Sequence, residues 1–238
     1  MRFARLAGLS GIGFVLLLLG GNLLLLSAGF PDSSASAAPG EIASAVADAS
    51  AALRLTSTLL PAAWLLATIF AAGVFAALRR HDRIPGDGWA VVGLAGILMQ
   101  CVAFAAVGAS RLAVAAAAAH DPGAVAGLWG LHNAIFGFNQ VFLATALLGL
   151  SVSGRRAGLV RRWHAAVGLS GAALLFLSAT TSPYGVDGGN PFSLAGLLGW
   201  LLWLVWIVAY SLRLIRDVDR PTVDTDPTAA PATTSGTP

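Results

Sequence analysis

The chain contains no lysine, a single cysteine and no aspartate or glutamate in any of its long apolar runs. Each absence excludes something. One cysteine, Cys101, cannot build a disulfide framework or a CxxC metal site, and within an apolar run it reads as a small buried residue. Apolar segments without carboxylates offer no acidic proton relay and no carboxylate–histidine metal cluster. Charged residues make up only 11% of the sequence, against about a quarter in an ordinary soluble domain. Such a chain cannot coat a water-facing surface.

What is present is apolar: 57% of residues, with a mean hydropathy of +0.78. Six runs, near 6–30, 59–78, 89–107, 125–150, 163–181 and 192–212, approach the ~20 residues that cross a hydrocarbon layer at 1.5 Å per residue. Charges, proline and glycine separate them, as helix boundaries require. The runs are continuous rather than alternating, which excludes a β-barrel. The expected fold is all-α, a polytopic transmembrane bundle of six helices over 1–216. The tail 217–238, rich in Asp, Thr and Pro without apolar period, is expected to be a disordered cytoplasmic segment. The first run is well beyond the 7–15 residues of a signal-peptide core, so an uncleaved first helix is expected despite the cleavage-like "SASAA".

Arginine sets the expected orientation. All 14 basic residues are arginine, and an N-terminus inside the cell leaves only Arg54 and Arg111 outside. The positive-inside rule therefore places both termini in the cytoplasm. Trp89 and Trp163 stand where chain enters lipid from that side, as interfacial anchors do. The clusters at Arg79 and Arg80 and at Arg161 and Arg162 are candidate contacts for anionic lipid headgroups as well as topology signals.

In the first outer loop, Ile42, Val46, Ala49 and Leu53 form one helical stripe. This predicts an amphipathic helix near 41–55, on the outer surface or capping the bundle. The alanine-rich stretch after Arg111 is expected to prolong the third run's helix until Asp121-Pro122 stops it. The loop 182–191 is expected to be compact and turn-rich. "GLSG" occurs twice, at Gly8–Gly11 and Gly168–Gly171, and suits close helix packing more than an internal repeat.

The fourth run carries the chemistry. On a helix, His132 and Asn139 point the same way, Asn133 and Gln140 form a second pair about 100° round, and Gly130 and Gly137 continue the arc. Leu128, Leu131, Ile135, Phe138 and Phe142 cover the far side. The polar face should look into the bundle and the bulky face into lipid. By helix rise, Gln100 reaches ~16 Å from the inner face, near the level of Asn133, and Ser170 ~10 Å, level with Asn139 and Gln140. Interhelical hydrogen bonding, worth about 0.6 kcal/mol per bond, accounts for neutral amides in such places. The functional reading is a ligand site of His132, Asn133, Gln100, Asn139 and Gln140, with His132 as its titratable group.

Catalytic readings fail on depth. A haem between His132 and His164 would have to span roughly 15–20 Å along the membrane normal. A serine nucleophile at Ser170 with His132 as base is some 10 Å apart in depth. Neither a cofactor nor a metal centre is implied. Trp200, Trp203 and Trp206 drift around the last helix and read as packing residues, with a hydrophobic ligand as the alternative.

The stretches "LRLTSTLLPAAWLLATIF", "GRRAGLVRRWHAAVGLSGA" and "GWLLWLVWIVAYSLRLIR" make the chain resemble uncharacterised bacterial six-helix membrane proteins, a family of unknown function. The resemblance implies six helices in a bacterial inner membrane and supplies no activity. The expectation is a non-enzymatic membrane protein acting through helix, lipid or partner contacts, self-association included and nucleic acid excluded. The alternative is a small transporter or ligand-binding membrane protein with a polar pocket in the outer half of the bundle.

Overall fold

A computed structural model of the chain describes residues 3–32, 38–80, 88–185 and 192–217. The tail beyond 217, most of the loop 182–191, and Arg2, Arg83 and Arg220 lie outside the described residues. Among the described residues seven α-helices follow one another: α1 (Phe3–Ser27), α2 (Pro39–Asp48), α3 (Ser50–Arg80), α4 (Trp89–His120), α5 (Pro122–Arg156), α6 (Arg162–Thr181) and α7 (Ser193–Asp217). A 3₁₀ turn, Ser182–Gly185, closes α6. The protein is all-α, and every helix except α2 is long and apolar enough to cross a membrane.

Consecutive spanning helices pack side by side, and α1 meets α7, so the six form a closed ring. Without water between the helices, apolar surface gives no driving force for this association; close packing must supply it. Small residues permit the approach. A Cβ on Gly8 would lie 2.6 Å from the Ser211 carbonyl oxygen of α7, and one on Gly73 of α3 would collide with Ala7 of α1. Gly93 and Gly149 abut across α4 and α5, where a Cβ on either would run into backbone. The ring is filled by Phe14, Phe70, Trp203, Trp206 and Tyr210, all buried, with Phe14 edge-on to Trp203 at 5.7 Å. Leucines such as Leu16, Leu23 and Leu26 project outward, 63–74% exposed, which only an apolar surround makes favourable.

The ring has two unlike ends. Arg5, Arg79, Arg80, Arg155, Arg156, Arg161, Arg162, Arg213 and Arg216 gather where α1 begins and α7 finishes, while Arg54 and Arg111 stand at the end bearing α2. At the basic end, the α5–α6 turn depends on Gly158, whose φ of 71° is the left-handed region that suits glycine. Leu159 and Val160 N–H groups return to the Gly154 carbonyl, and Arg213 Nε donates to Leu159 O at 3.1 Å, pinning α7 to the turn.

At the other end, α4 and α5 outrun a membrane. Their 32 and 35 residues rise ~48 and ~52 Å, against a hydrocarbon thickness of ~30 Å. The helix expected to continue after Arg111 does so, and it stops where Asp121 caps α5: its carboxylate accepts from Gly123 N–H at 3.1 Å, with Pro122 in the first turn. The expected stripe is buried: Ile42 4%, Val46 0%, Ala49 1% and Leu53 2% exposed. The helix expected over 41–55 is broken, however. It ends at Asp48, Ala49 turns the chain, and Leu53 already belongs to α3. α2 is held at its start by Glu41, whose carboxylate accepts from Ala38 N–H at 3.2 Å. With Val114, Val125 and Trp129 it forms a second small core over the projecting hairpin.

Candidate functional site

The orientation of α5 is the one its residue pattern predicts. His132, Asn133, Gly137 and Asn139 are buried, whereas Leu131 and Phe138 are more than half exposed and Leu128, Ile135 and Phe142 half-buried. The polar residues do not converge on one place, because α5 has neighbours on two sides.

His132 faces α4. Its Nδ1 lies 3.0 Å from Ser110 Oγ, and that hydroxyl also donates to Val107 O at 2.8 Å. A serine has one proton, so with Val107 as its acceptor it receives the imidazole Nδ1–H. The ring stacks on Trp129, centroids 5.0 Å apart, and approaches Phe136 at 6.2 Å. At 1% exposure the imidazole is enclosed on all sides. Asn133 lies beside it, with its Oδ1 buried and without a hydrogen-bond partner.

Gln140 faces the other way. A Cβ on Gly196 of α7 would lie 3.0 Å from its Oε1 and 2.6 Å from Ser178 Oγ of α6, so the amide sits where α5, α6 and α7 meet. Ser178, not Ser170, is the serine at this level. Ser170 is exposed on the outer face of α6, between buried Gly168 and Gly171, and is in no position to use His132 as a base. Asn139 is 3% exposed, and its Oδ1, like Gln140 Oε1, has no partner.

Gln100 joins neither group. Gly93, Gly96 and Ser110 of α4 face Leu150, Ala146 and His132 of α5, which places Gln100 about nine residues, ~14 Å, below the level of Asn133. The rise arithmetic errs at the outer end: it takes Val125 as lying at the membrane face, whereas the α4–α5 hairpin carries that residue level with Ala117, ~42 Å of rise from Trp89. Gln100 instead borders two voids. One, of about 10 Å³, lies among Phe14, Phe70, Leu143 and Trp203 inside the ring. The other, of about 40 Å³ and partly open, lies between α1, α3 and α4 and includes Asn22, Trp64 and Arg111 in its lining.

The basic end holds a second aromatic cluster. His164 Nε2 pairs with the Trp206 carbonyl at 3.1 Å, and its ring packs on Tyr210 at 4.9 Å. Trp206 Nε1 donates to Ser151 Oγ at 3.0 Å, and Tyr210 Oη to Leu150 O at 3.2 Å. The packing role expected for the last helix's tryptophans holds for Trp203 and Trp206, which are buried, with Trp200 half-buried. Tyr210 Oη closes on Gly154, 22 residues along α5 from His132, or ~33 Å of rise. The two histidines are therefore farther apart than their sequence positions imply, and share no iron. Arg79 and Arg80 at the end of α3 and Arg161 and Arg162 at the start of α6 are exposed, and Trp163 is 53% exposed. Cys101 is half-buried. Among the described residues, no three His, Cys, Asp or Glu side chains come close enough to hold a metal ion.

Six apolar helices in a ring, with leucine outside and aromatics within, make this a multi-pass integral membrane protein of the helical-bundle class. Compared with known proteins, the chain matches no family model, no curated protein and no solved structure.

Proposed function

We propose that the protein is non-enzymatic and acts through the contacts its helices make with lipid and with other membrane proteins. The observation that carries this reading is the plugged ring. Phe14, Phe70, Trp203 and Trp206 fill its middle and leave about 10 Å³, enough for one water at most. A conduit would need these side chains to move together. The polar side chains of α5 divide between α4, where His132 pairs with Ser110, and the α6/α7 seam, where Gln140 lies, and so assemble no shared reaction centre. Arginine distribution supports a basic end in the cytoplasm, of a bacterial inner membrane on the resemblance noted from sequence. There Arg79, Arg80, Arg161 and Arg162 would meet anionic headgroups, each contributing about 1 kcal/mol.

Two experiments test this. Purified protein is reconstituted in vesicles loaded with pH- and anion-reporting dyes. Leak no faster than from empty vesicles is expected; saturable flux overturns the contact reading in favour of a transporter. Reporter fusions after Arg156 and after Ala118 should report cytoplasm and exterior respectively, and the reverse result would invert the orientation. The ligand-binding alternative draws on the unpartnered oxygens of Asn133, Asn139 and Gln140. A ligand-induced thermal shift lost in His132→Ala would establish it.

A further inference from the structure

The 40 Å³ void between α1, α3 and α4 has an unusual lining. Among the described residues its one charged side chain is Arg111, and no aspartate or glutamate lines it. A guanidinium cannot shed its proton in a protein, so the charge has to be met in place. The ring of Phe30 meets part of it, 5.4 Å from the guanidinium carbon, and the helix end that delivers Phe30 is built for the purpose. Gly29 takes a φ of 73° and Phe30 N–H returns to Leu25 O at 3.0 Å, a helix-terminating turn that swings the ring over α4. That face-on contact leaves the in-plane donors untouched. Arg111 Nε–H is fully buried without an acceptor, and so is the indole Nε1–H of Trp64. Both residues line the same void. Two residues with unmet buried donors, one carrying full positive charge, thus border a space with no anionic acceptor among its described lining residues. Unmet buried donors of this kind are rare and costly in a folded protein.

We propose that this void, at its Arg111 end, is a binding site for a compact anion held between Arg111 Nε–H and Trp64 Nε1–H. The volume admits about three water-sized spheres, at 10–15 Å³ each. A halide or nitrate fits, or one anionic oxygen inserted from a phosphate, while a bulky organic anion does not. The level of the site permits either source. Arg111 is 22 residues past Trp89, ~33 Å of rise, which puts it at the membrane interface opposite the basic end. Both an external inorganic anion and a lipid phosphate reach that depth.

The test uses the full chain, purified in neutral detergent and stripped of lipid. Thermal stability is followed while chloride or nitrate replaces gluconate at constant ionic strength. A second arm places the protein in nanodiscs of neutral lipid alone or with phosphatidylglycerol. A saturable rise in melting temperature with the inorganic anions identifies a free anion; a rise with phosphatidylglycerol alone identifies the headgroup oxygen. In either case Trp64→Phe, which keeps the ring and removes the N–H, should weaken apparent affinity about tenfold. Arg111→Gln should abolish the response, and Arg54→Gln, an exposed arginine at the same end, should leave it intact. Absence of a saturable shift from every source in the unaltered protein overturns the proposal, as does an undiminished shift in Trp64→Phe.

Discussion

Alanine in place of Gly96 should destabilise the protein by about 1–3 kcal/mol, whereas alanine in place of Gly20 should stabilise it by up to ~1 kcal/mol. The substitution is the same and the helix-propensity gain is the same; only the surroundings differ. A Cβ at Gly96 would lie 2.8 Å from Ala146 Cα and 2.9 Å from Phe142 O, both backbone atoms of α5 that no rotamer can withdraw. Ordinary contact begins near 3.4 Å, so the two helices must part by at least ~0.5 Å. A gap of 0.5–1 Å forfeits a quarter to a half of each dispersion contact along the seam. α4 and α5 share the most extensive helix contact in the ring, so the loss is felt over many pairs and outweighs the propensity gain. At Gly20 nothing lies within 4 Å of the added methyl, and only the gain remains. The assay is reversible unfolding by dodecyl sulfate in mixed micelles, read by tryptophan fluorescence. If Gly96→Ala matches or exceeds the unaltered protein, or if both variants shift in one direction, glycine-mediated approach is not what holds α4 to α5.

Further outcomes follow from single contacts. Ser110→Ala should cost about 1–3 kcal/mol by stranding the His132 Nδ1–H, while Ser110→Ala combined with His132→Phe should cost less than the two single changes summed, measured as a double-mutant cycle. Tyr210→Phe, which removes only the donation to Leu150 O, should lower stability by about 0.5–1.5 kcal/mol in the same unfolding titration. Val46→Asp places a charge in the small core over the α4–α5 hairpin. It should release α2, seen as faster proteolysis between α1 and α3, while the spanning helices stay protected; unchanged cleavage there would show that α2 is not held by that core.

The six spans were legible in the sequence because a bilayer imposes a length on every apolar run, and charge and turn residues mark its edges. The burial of His132 and Asn139 against the exposure of Phe138 was legible too, since one helix turn relates residues whatever the helix packs against. Depth across helices was not. Gln100 and Asn133, and likewise Ser170 and Asn139, were expected to share levels on the assumption that each helix begins at the membrane surface. α4 and α5 instead run on together past Arg111, and the pairing that results, Ser110 with His132, depends on where their common turn at Asp121 lies. The break at Ala49 escaped notice because the apolar stripe continues unbroken through it, from Val46 to Leu53. The pairing of Arg111 with Phe30 joins residues more than eighty apart and left no local pattern to read.

The seam between α1 and α7 bears on how the protein is made. Gly8 of α1 lies against Ser211 and Ile215 of α7, some two hundred residues later in the chain. Throughout synthesis that notch stands open in the lipid, and it closes only when α7 inserts. A nascent chain stalled after α6 therefore leaves that face of α1 unoccupied, and the ring cannot close until the segment carrying α7 has been made.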